Sequence, residues 1–264
     1  MPQILLIDAV VSALAFLVLW GVSLKIRDVS FIDAWWGVGM ALIAWTAFLQ
    51  GPPTPRGMLL TGLCTVWAAR LGGYLFWRWR KHGADRRYVA MLGHAQTARG
   101  WSFAKASLLL VFALQYLMQY VVALPVQLGQ VAGPLGPLAA LGAALAAFGI
   151  AFETIGDAQL VRFKADPANA GKVMDRGLWR YTRHPNYFGD ACVWWGLFLV
   201  AAEALPWGLA SIAGPILLTI TLTRWSGVPT TEGHLSKTRP DYAAYVARTP
   251  GFVPWFPRKD ALRP

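Results

Sequence analysis

Three observations predict an all-α fold that crosses a membrane about seven times. First, 56% of the 264 residues are hydrophobic and only 14% are charged, with 14 Trp, which is more apolar surface than a soluble domain of this length needs to bury. Second, windows of about 20 mostly apolar residues, each long enough to cross a bilayer, recur at 4–24, 30–50, 57–77, 102–124, 134–156, 188–204 and 207–224. Third, the basic residues fall in alternate connectors. If the helices alternate in direction, the segments 25–29, 78–101, 157–187 and 225–264 share one side and hold 20 of the 24 Lys and Arg, whereas the opposite connectors carry only Arg56. Such a bias marks the cytoplasmic face, and one span more or fewer would scatter it.

The first window is long, has no basic region before it and no small-residue cleavage site after it, so it reads as a retained helix and not as a secretory signal. The net charge of +11 would suggest nucleic acid in a soluble protein; its confinement to one set of connectors assigns it to the membrane surface instead, with no nucleic-acid partner. In the second window Asp33 sits near the cytoplasmic border, and the third carries Arg70, with Tyr74 and Arg78 one and two turns further on. An ionisable side chain inside a span is a functional candidate by default, although an Asp33–Arg70 ion pair would satisfy both groups structurally. Gln115 and Gln119, one turn apart in the fourth window, suit hydrogen bonds between helices. The Ala- and Gly-rich stretch 132–149 suits close helix packing. Cys64 and Cys192 lie inside apolar windows with no disulfide or metal spacing, and read as small buried hydrophobes.

Polar chemistry concentrates after residue 150. The fifth helix ends in F-E-T-I-G-D-A-Q, which puts Glu153 and Asp157 four apart on one face; two such carboxylates need a cation or a hydrogen-bonding group between them, a role open to nearby arginines or to a nucleotide's ribose and amide groups. The string G-L-W-R-Y-T-R-H-P-N-Y-F-G-D, 177–190, is the most specific in the chain. Pro185 suits the first turn of a helix, whose N–H groups are free there. With Arg180, Arg183 and His184 beside it, this is a natural anion site, and Asn186 and Asp190 follow one turn apart on one face. The tail 224–246 offers Glu232, His234, Lys237, Arg239 and Tyr242 on an amphipathic segment that equally suits a solvated helix on the membrane surface. No G-x-G-x-x-G, G-x-x-x-x-G-K, H-E-x-x-H or G-x-S-x-G string occurs, so any nucleotide would have to be held by helices and loops.

E-T-I-G-D, the 177–190 string, S-G-V-P-T-T-E, R-P-D-Y-A-A-Y-V and the closing F-V-P-W-F together resemble the steroid 5-alpha-reductase family, most closely its bacterial multi-spanning branch, from about Glu153 to Pro257. The resemblance implies a single seven-helix membrane domain, in which 1–150 form the lipid-side pocket for a hydrophobic small-molecule substrate and 151–264 bind NADPH. The implied reaction reduces a carbon–carbon double bond conjugated to a carbonyl. Asp157, Asn186 and Asp190 match the family's cofactor positions in register; Lys164 and Lys172 fall where it tends to place arginines, and Glu232 where the steroid enzymes have a different polar residue. Arg180, Arg183, His184, Tyr187 and Tyr242 complete the expected cofactor set. The steroid enzymes' Gln-Glu pair in the second helix is absent, leaving Asp33 as the acid, with Tyr74 or Tyr88 as the hydroxyl that would meet the carbonyl. R-H-P-x-Y-x-G and a glutamate after the last span are shared with the isoprenylcysteine carboxyl methyltransferases, which would imply S-adenosylmethionine; N-Y-F-G-D and D-A-W-W-G look more like the reductases. A lipid transporter would show an inverted repeat, and none is visible. The expected setting is a bacterial inner membrane, or the endoplasmic reticulum in a eukaryote, with membrane lipid as neighbour; the sequence specifies no oligomeric state.

Overall fold

The computed structural model describes residues 1–258; Lys259 and Arg263 of the last basic segment lie outside it. Among the described residues the chain is all-helical, with long helices α1 (Pro2–Ile26), α2 (Ile32–Leu49), α3 (Pro55–His82), α4 (Arg86–Arg99), α5 (Phe103–Val122), α6 (Pro137–Ala165), α7 (Pro185–Ala202) and α8 (Trp207–Thr238), then a short α9 (Tyr242–Arg248). Six of them, α1, α2, α3, α5, α6 and α8, are long and apolar enough to cross a membrane, and the chain is an integral, multi-pass membrane protein. The seventh expected span, 188–204, falls in α7, which is 18 residues long but opens with Pro185, Asn186 and Asp190, and that polar first turn lowers its mean hydropathy. The side chains that exclude α7 from a purely apolar set are those the sequence singles out for binding.

The fold divides into an N-terminal unit, Met1–Ala143 with Leu197–Gly214, and a C-terminal unit, Ala144–Gly196 with Pro215 onward. In the N-terminal unit α2 and α3 approach through small residues. A Cβ on Gly37 would lie 2.7 Å from the Ala68 carbonyl oxygen, and one on Gly72 3.1 Å from that of Ala34. In lipid such close contact replaces the hydrophobic drive as the source of helix association. Gln119 donates to the Trp36 carbonyl at 2.9 Å, the interhelical bond expected of it. The basic connector 78–101 is not a loop: most of it folds as α4, capped by Asp85, whose carboxylate accepts from the Arg87 amide. Leu92 and Ala95 of α4 pack into a core with Phe16, Val29, Ile32 and Phe112, and Tyr88 and Trp101 lie against it. Large side chains such as Leu6, Val18 and Leu49 remain at least 66% exposed, as lipid-facing positions require and as a soluble surface would not tolerate in such number. Arg56, alone among cations in the opposite connectors, is buried; it donates to the carbonyls of Val131 and Pro134 and lies 3.8 Å from Glu203, which in turn accepts from the amides of Gly136 and Ala139 at the start of α6.

In the C-terminal unit α6 and α7 meet at glycines. A Cβ on Gly189 would stand 2.7 Å from the Glu153 amide nitrogen, and one on Gly149 2.5 Å from the Gly189 carbonyl oxygen. The connector before α7 is pinned from both sides. Trp179 Nε1 donates to the Gly156 carbonyl of α6 and the Leu178 amide to Gln159. From the other side, the Tyr245 hydroxyl donates to the Trp179 carbonyl, Thr182 Oγ1 to that of Phe252, and the Arg183 amide to that of Pro250.

Candidate functional site

Each unit holds polar groups built from the residues the sequence singles out. In the N-terminal unit the Tyr88 hydroxyl donates to Asp33 Oδ1 at 2.7 Å and accepts from Gln115 Nε2 at 2.9 Å. Three elements supply this chain: the first turn of α2, the first turn of α4 and the middle of α5. Asp33 Oδ2 lies 3.4 Å from Arg87 and 3.6 Å from Arg78, so α3 and α4 provide its countercharges. Arg87 also forks onto Asp85, at 2.8 Å through one terminal nitrogen. Burial alone would raise the Asp85 carboxyl, but the Arg87 side chain and amide hold it below the usual 3.8. Burial, with the Asp33 carboxylate next to it, pushes the Tyr88 phenol well above 10, so Tyr88 is a neutral hydrogen-bond donor at any ordinary pH.

Of the two expected tyrosines, Tyr88 is bonded to Asp33; Tyr74 stacks on Trp77 with ring centres 6.1 Å apart and has the Arg70 guanidinium 6.0 Å from its own centre. Gln115 makes the helix-to-helix bond expected of it, from α5 to Tyr88 of α4, and so joins the candidate site. A further chain that the sequence did not signal fixes the start of α4: Trp79 donates to Asp28, Asp28 accepts from the Ser30 amide, and Ser30 Oγ accepts from the Asp85 amide.

In the C-terminal unit Asn186 Nδ2 donates to Asp157 Oδ1 at 3.3 Å, with Glu153 and Asp190, both buried, one turn away along α6 and α7. Close by in sequence stands a second group. His184 Nε2 and Arg183 Nε both lie on Glu232 Oε1, at 2.9 and 2.8 Å. Arg183 also donates to the carbonyls of Thr249 and Val246, so it ties the start of α7 to the C-terminal segment. The rings of His184 and Tyr187 stack at 5.3 Å, and the Tyr187 hydroxyl meets Thr231 at 3.3 Å. Tyr242 is buried; burial first, and the Glu232 charge second, push its phenol up to about 12. Lys164, Lys172 and Arg180 stand exposed on the connector side. A cleft of about 700 Å³ opens beside this cluster, lined among others by Glu232, Ser236, Lys237, Arg239, Tyr242 and Val246. Lys237 and Arg239 were visible as charges in the tail, but that they share a cleft with Glu232 depends on the turn between α8 and α9. Among the described residues no group of three or more His, Cys, Asp or Glu could hold a metal ion.

A polytopic helical membrane protein with one phenol–carboxylate cluster and one His–Arg–Glu cluster is the class these observations define. The chain belongs to the family described as "Protein of unknown function (DUF1295)", whose profile matches residues 19–249 and so spans both clusters. A Schizosaccharomyces pombe protein, itself described as uncharacterized, is 25% identical over 239 residues, which is 80% of this chain and 66% of the yeast protein. The chain thus spans just under two thirds of that relative's length. No solved structure matches it significantly.

Proposed function

We propose that the protein is a membrane oxidoreductase that takes NADPH on its cytoplasmic side and reduces a carbon–carbon double bond conjugated to a carbonyl in a hydrophobic, steroid-like or other lipid, substrate. The observation that carries the reading is the 2.7 Å bond from Tyr88 to Asp33, with Gln115 behind it. Hydride addition to the β-carbon of an enone leaves negative charge on the carbonyl oxygen, and a donor held in place for that oxygen stabilises it. Tyr88 has a single proton, given to Asp33 in this structure; an arriving carbonyl oxygen takes it over while Gln115 keeps the hydroxyl oriented. Arg78 and Arg87 stay on the Asp33 carboxylate, which limits its pull on that proton. Exclusion of water by the surrounding apolar side chains strengthens the bond.

The residues of the C-terminal unit fit a phosphorylated dinucleotide. The Asp157–Asn186 pair presents an acceptor and an amide side by side, suited to ribose hydroxyls or a carboxamide. Lys172, Arg180, Lys237 and Arg239 are cations with no ion pair among the described residues, suited to phosphate. The cleft volume lies within the range of small-molecule sites. When bound, the cofactor would supply the hydride.

The Arg183–His184–Glu232 cluster sustains a second reading, S-adenosylmethionine-dependent methyl transfer, because these are the residues shared with the isoprenylcysteine methyltransferases. That reading leaves the unpaired cations and the Tyr88–Asp33 pair without a role. The test is thermal protection of the purified protein by NADPH, NADH and S-adenosylmethionine, followed by 340 nm absorbance with NADPH across a panel of enones. Protection by NADPH with enone-dependent oxidation supports the reductase; protection by S-adenosylmethionine alone replaces it with the methylase.

A further inference from the structure

In the N-terminal unit, where α1 stops and α5 begins, three cations stand on two aromatic rings. Arg27, the C-cap of α1, has φ 57° and is the one non-glycine residue in the left-handed region among the described residues, a conformation strained for any side chain and free for glycine. It carries its guanidinium to 5.1 Å from the Phe103 ring centre. Two residues earlier, Trp101 has Arg99 at 5.2 Å and Lys105 at 4.9 Å from its own ring. Both rings pack against the same core, which holds the charges in place. All three cations are exposed, and no ion pair involves them among the described residues. The acid next to Arg27, Asp28, is engaged by Trp79 and the Ser30 amide. Directly along the helices from this cluster the surface turns apolar and open: Val18, Val22 and Ile26 on α1 and Leu109 on α5 are each more than 40% exposed.

The geometry points to a binding site for the phosphodiester headgroup of an anionic membrane lipid at Arg27, Arg99 and Lys105, with the acyl chains on the exposed faces of α1 and α5. Three cations with no ion pair among the described residues stand on rings that pack against one core, and an anion would neutralise them. Cationic clusters at span ends are where anionic headgroups are recognised. A zwitterionic lipid brings an ammonium that opposes the cluster, so a net negative headgroup is preferred; free phosphate satisfies the charge but leaves the apolar faces uncovered. This site is independent of the proposed reductase chemistry.

Native mass spectrometry of the detergent-purified protein, equilibrated with equal phosphatidylglycerol and phosphatidylcholine, tests it. The wild type should retain phosphatidylglycerol preferentially, and a variant carrying Arg27→Gly, Arg99→Gln and Lys105→Gln should lose about tenfold or more of that preference. Arg27→Gly alone, which relieves the backbone strain and so should fold at least as well, should lose part of it. A control carrying Arg80→Gln, Lys81→Gln and Arg86→Gln, with the same change in net charge, should keep it, and inorganic phosphate should not displace the lipid. Equal loss in the control, unchanged preference in the single and triple variants, or displacement by phosphate would each overturn the assignment.

Discussion

Tyr88 and Asp33 lie 55 residues apart, and their 2.7 Å bond separates an orienting pair from two unrelated polar side chains. If the phenol meets the developing charge, Tyr88→Phe lowers turnover about 10²- to 10³-fold while leaving thermal protection by NADPH as in the wild type, because only the proton is lost and the ring still packs on the core. Loss of cofactor protection in step with turnover would mean that the substitution disturbs the fold. In the C-terminal unit Asn186 and Asp190 hold the corresponding place. Asn186→Ala removes the amide that joins α7 to Asp157, and Asp190→Ala removes the buried carboxylate one turn on; each should abolish protection by NADPH while the protein still unfolds cooperatively. Protection that persists in both variants would remove the cofactor site from this helix. At this scale the sequence identified the residue types but not the partners. Asp33, Tyr88, Asn186 and Glu232 stood out as polar groups in apolar or motif-rich surroundings. That Asp33 takes its countercharge from Arg78 and Arg87, and that Arg183 bonds to the closing segment at Val246 and Thr249, are tertiary pairings with no local periodicity to announce them.

Helices α4 and α7 show where element-level reading succeeds and where it stops. The helix at Pro185 was legible because proline suits a first turn and an apolar run follows. Helix α4 was not: its composition is that of a basic connector, and its order comes from contacts made elsewhere, with Asp85 capping it, Leu92 and Ala95 in the core and Ser30 holding its first amide. Asp85 gives this element a pH dependence of definite sign. Its carboxyl is held below 3.8 in the folded state, so its contribution is complete above that value and is lost as pH falls through the lower folded value. Protection of the first amides of α4, taken relative to the intrinsic exchange rate at each pH, should therefore hold down to about pH 4 and fall below it, and Asp85→Ala should lower that protection several-fold above pH 4, with a loss of about 1 kcal/mol for the cap. The α6–α7 contact makes a different demand. Since a Cβ on Gly189 would stand 2.7 Å from a backbone nitrogen, Gly189→Ala must push the helices apart and should destabilise the protein by about 1–3 kcal/mol, read as a lower thermal midpoint. An unchanged midpoint would show that the helices are not in contact there.

For the whole molecule, the parity of the spans decides which surface faces the cytoplasm, and it depends on α7. Six helices are long and apolar enough to cross; if Pro185–Ala202 did not cross as well, the basic segments 157–187 and 225–258 would fall on opposite sides and the charge bias would weaken. The positive-inside rule therefore predicts that α7 crosses despite its polar first turn, which implies that those polar groups face protein or ligand and not lipid. Cysteine labelling can test this without first removing native thiols, because Cys64 and Cys192 are both buried. Single substitutions Arg99→Cys, Lys172→Cys and Lys237→Cys sample three basic segments, and Pro53→Cys samples the opposite connector between α2 and α3. In sealed vesicles of known orientation, a membrane-impermeant maleimide should reach the first three from the cytoplasmic side only and Pro53→Cys from the other side only. Labelling of Lys172→Cys and Lys237→Cys from opposite sides would make α7 a helix that enters without crossing, and would place the Asn186 cluster and the Lys237–Arg239 cleft on different faces of the membrane, where they could not serve one cofactor.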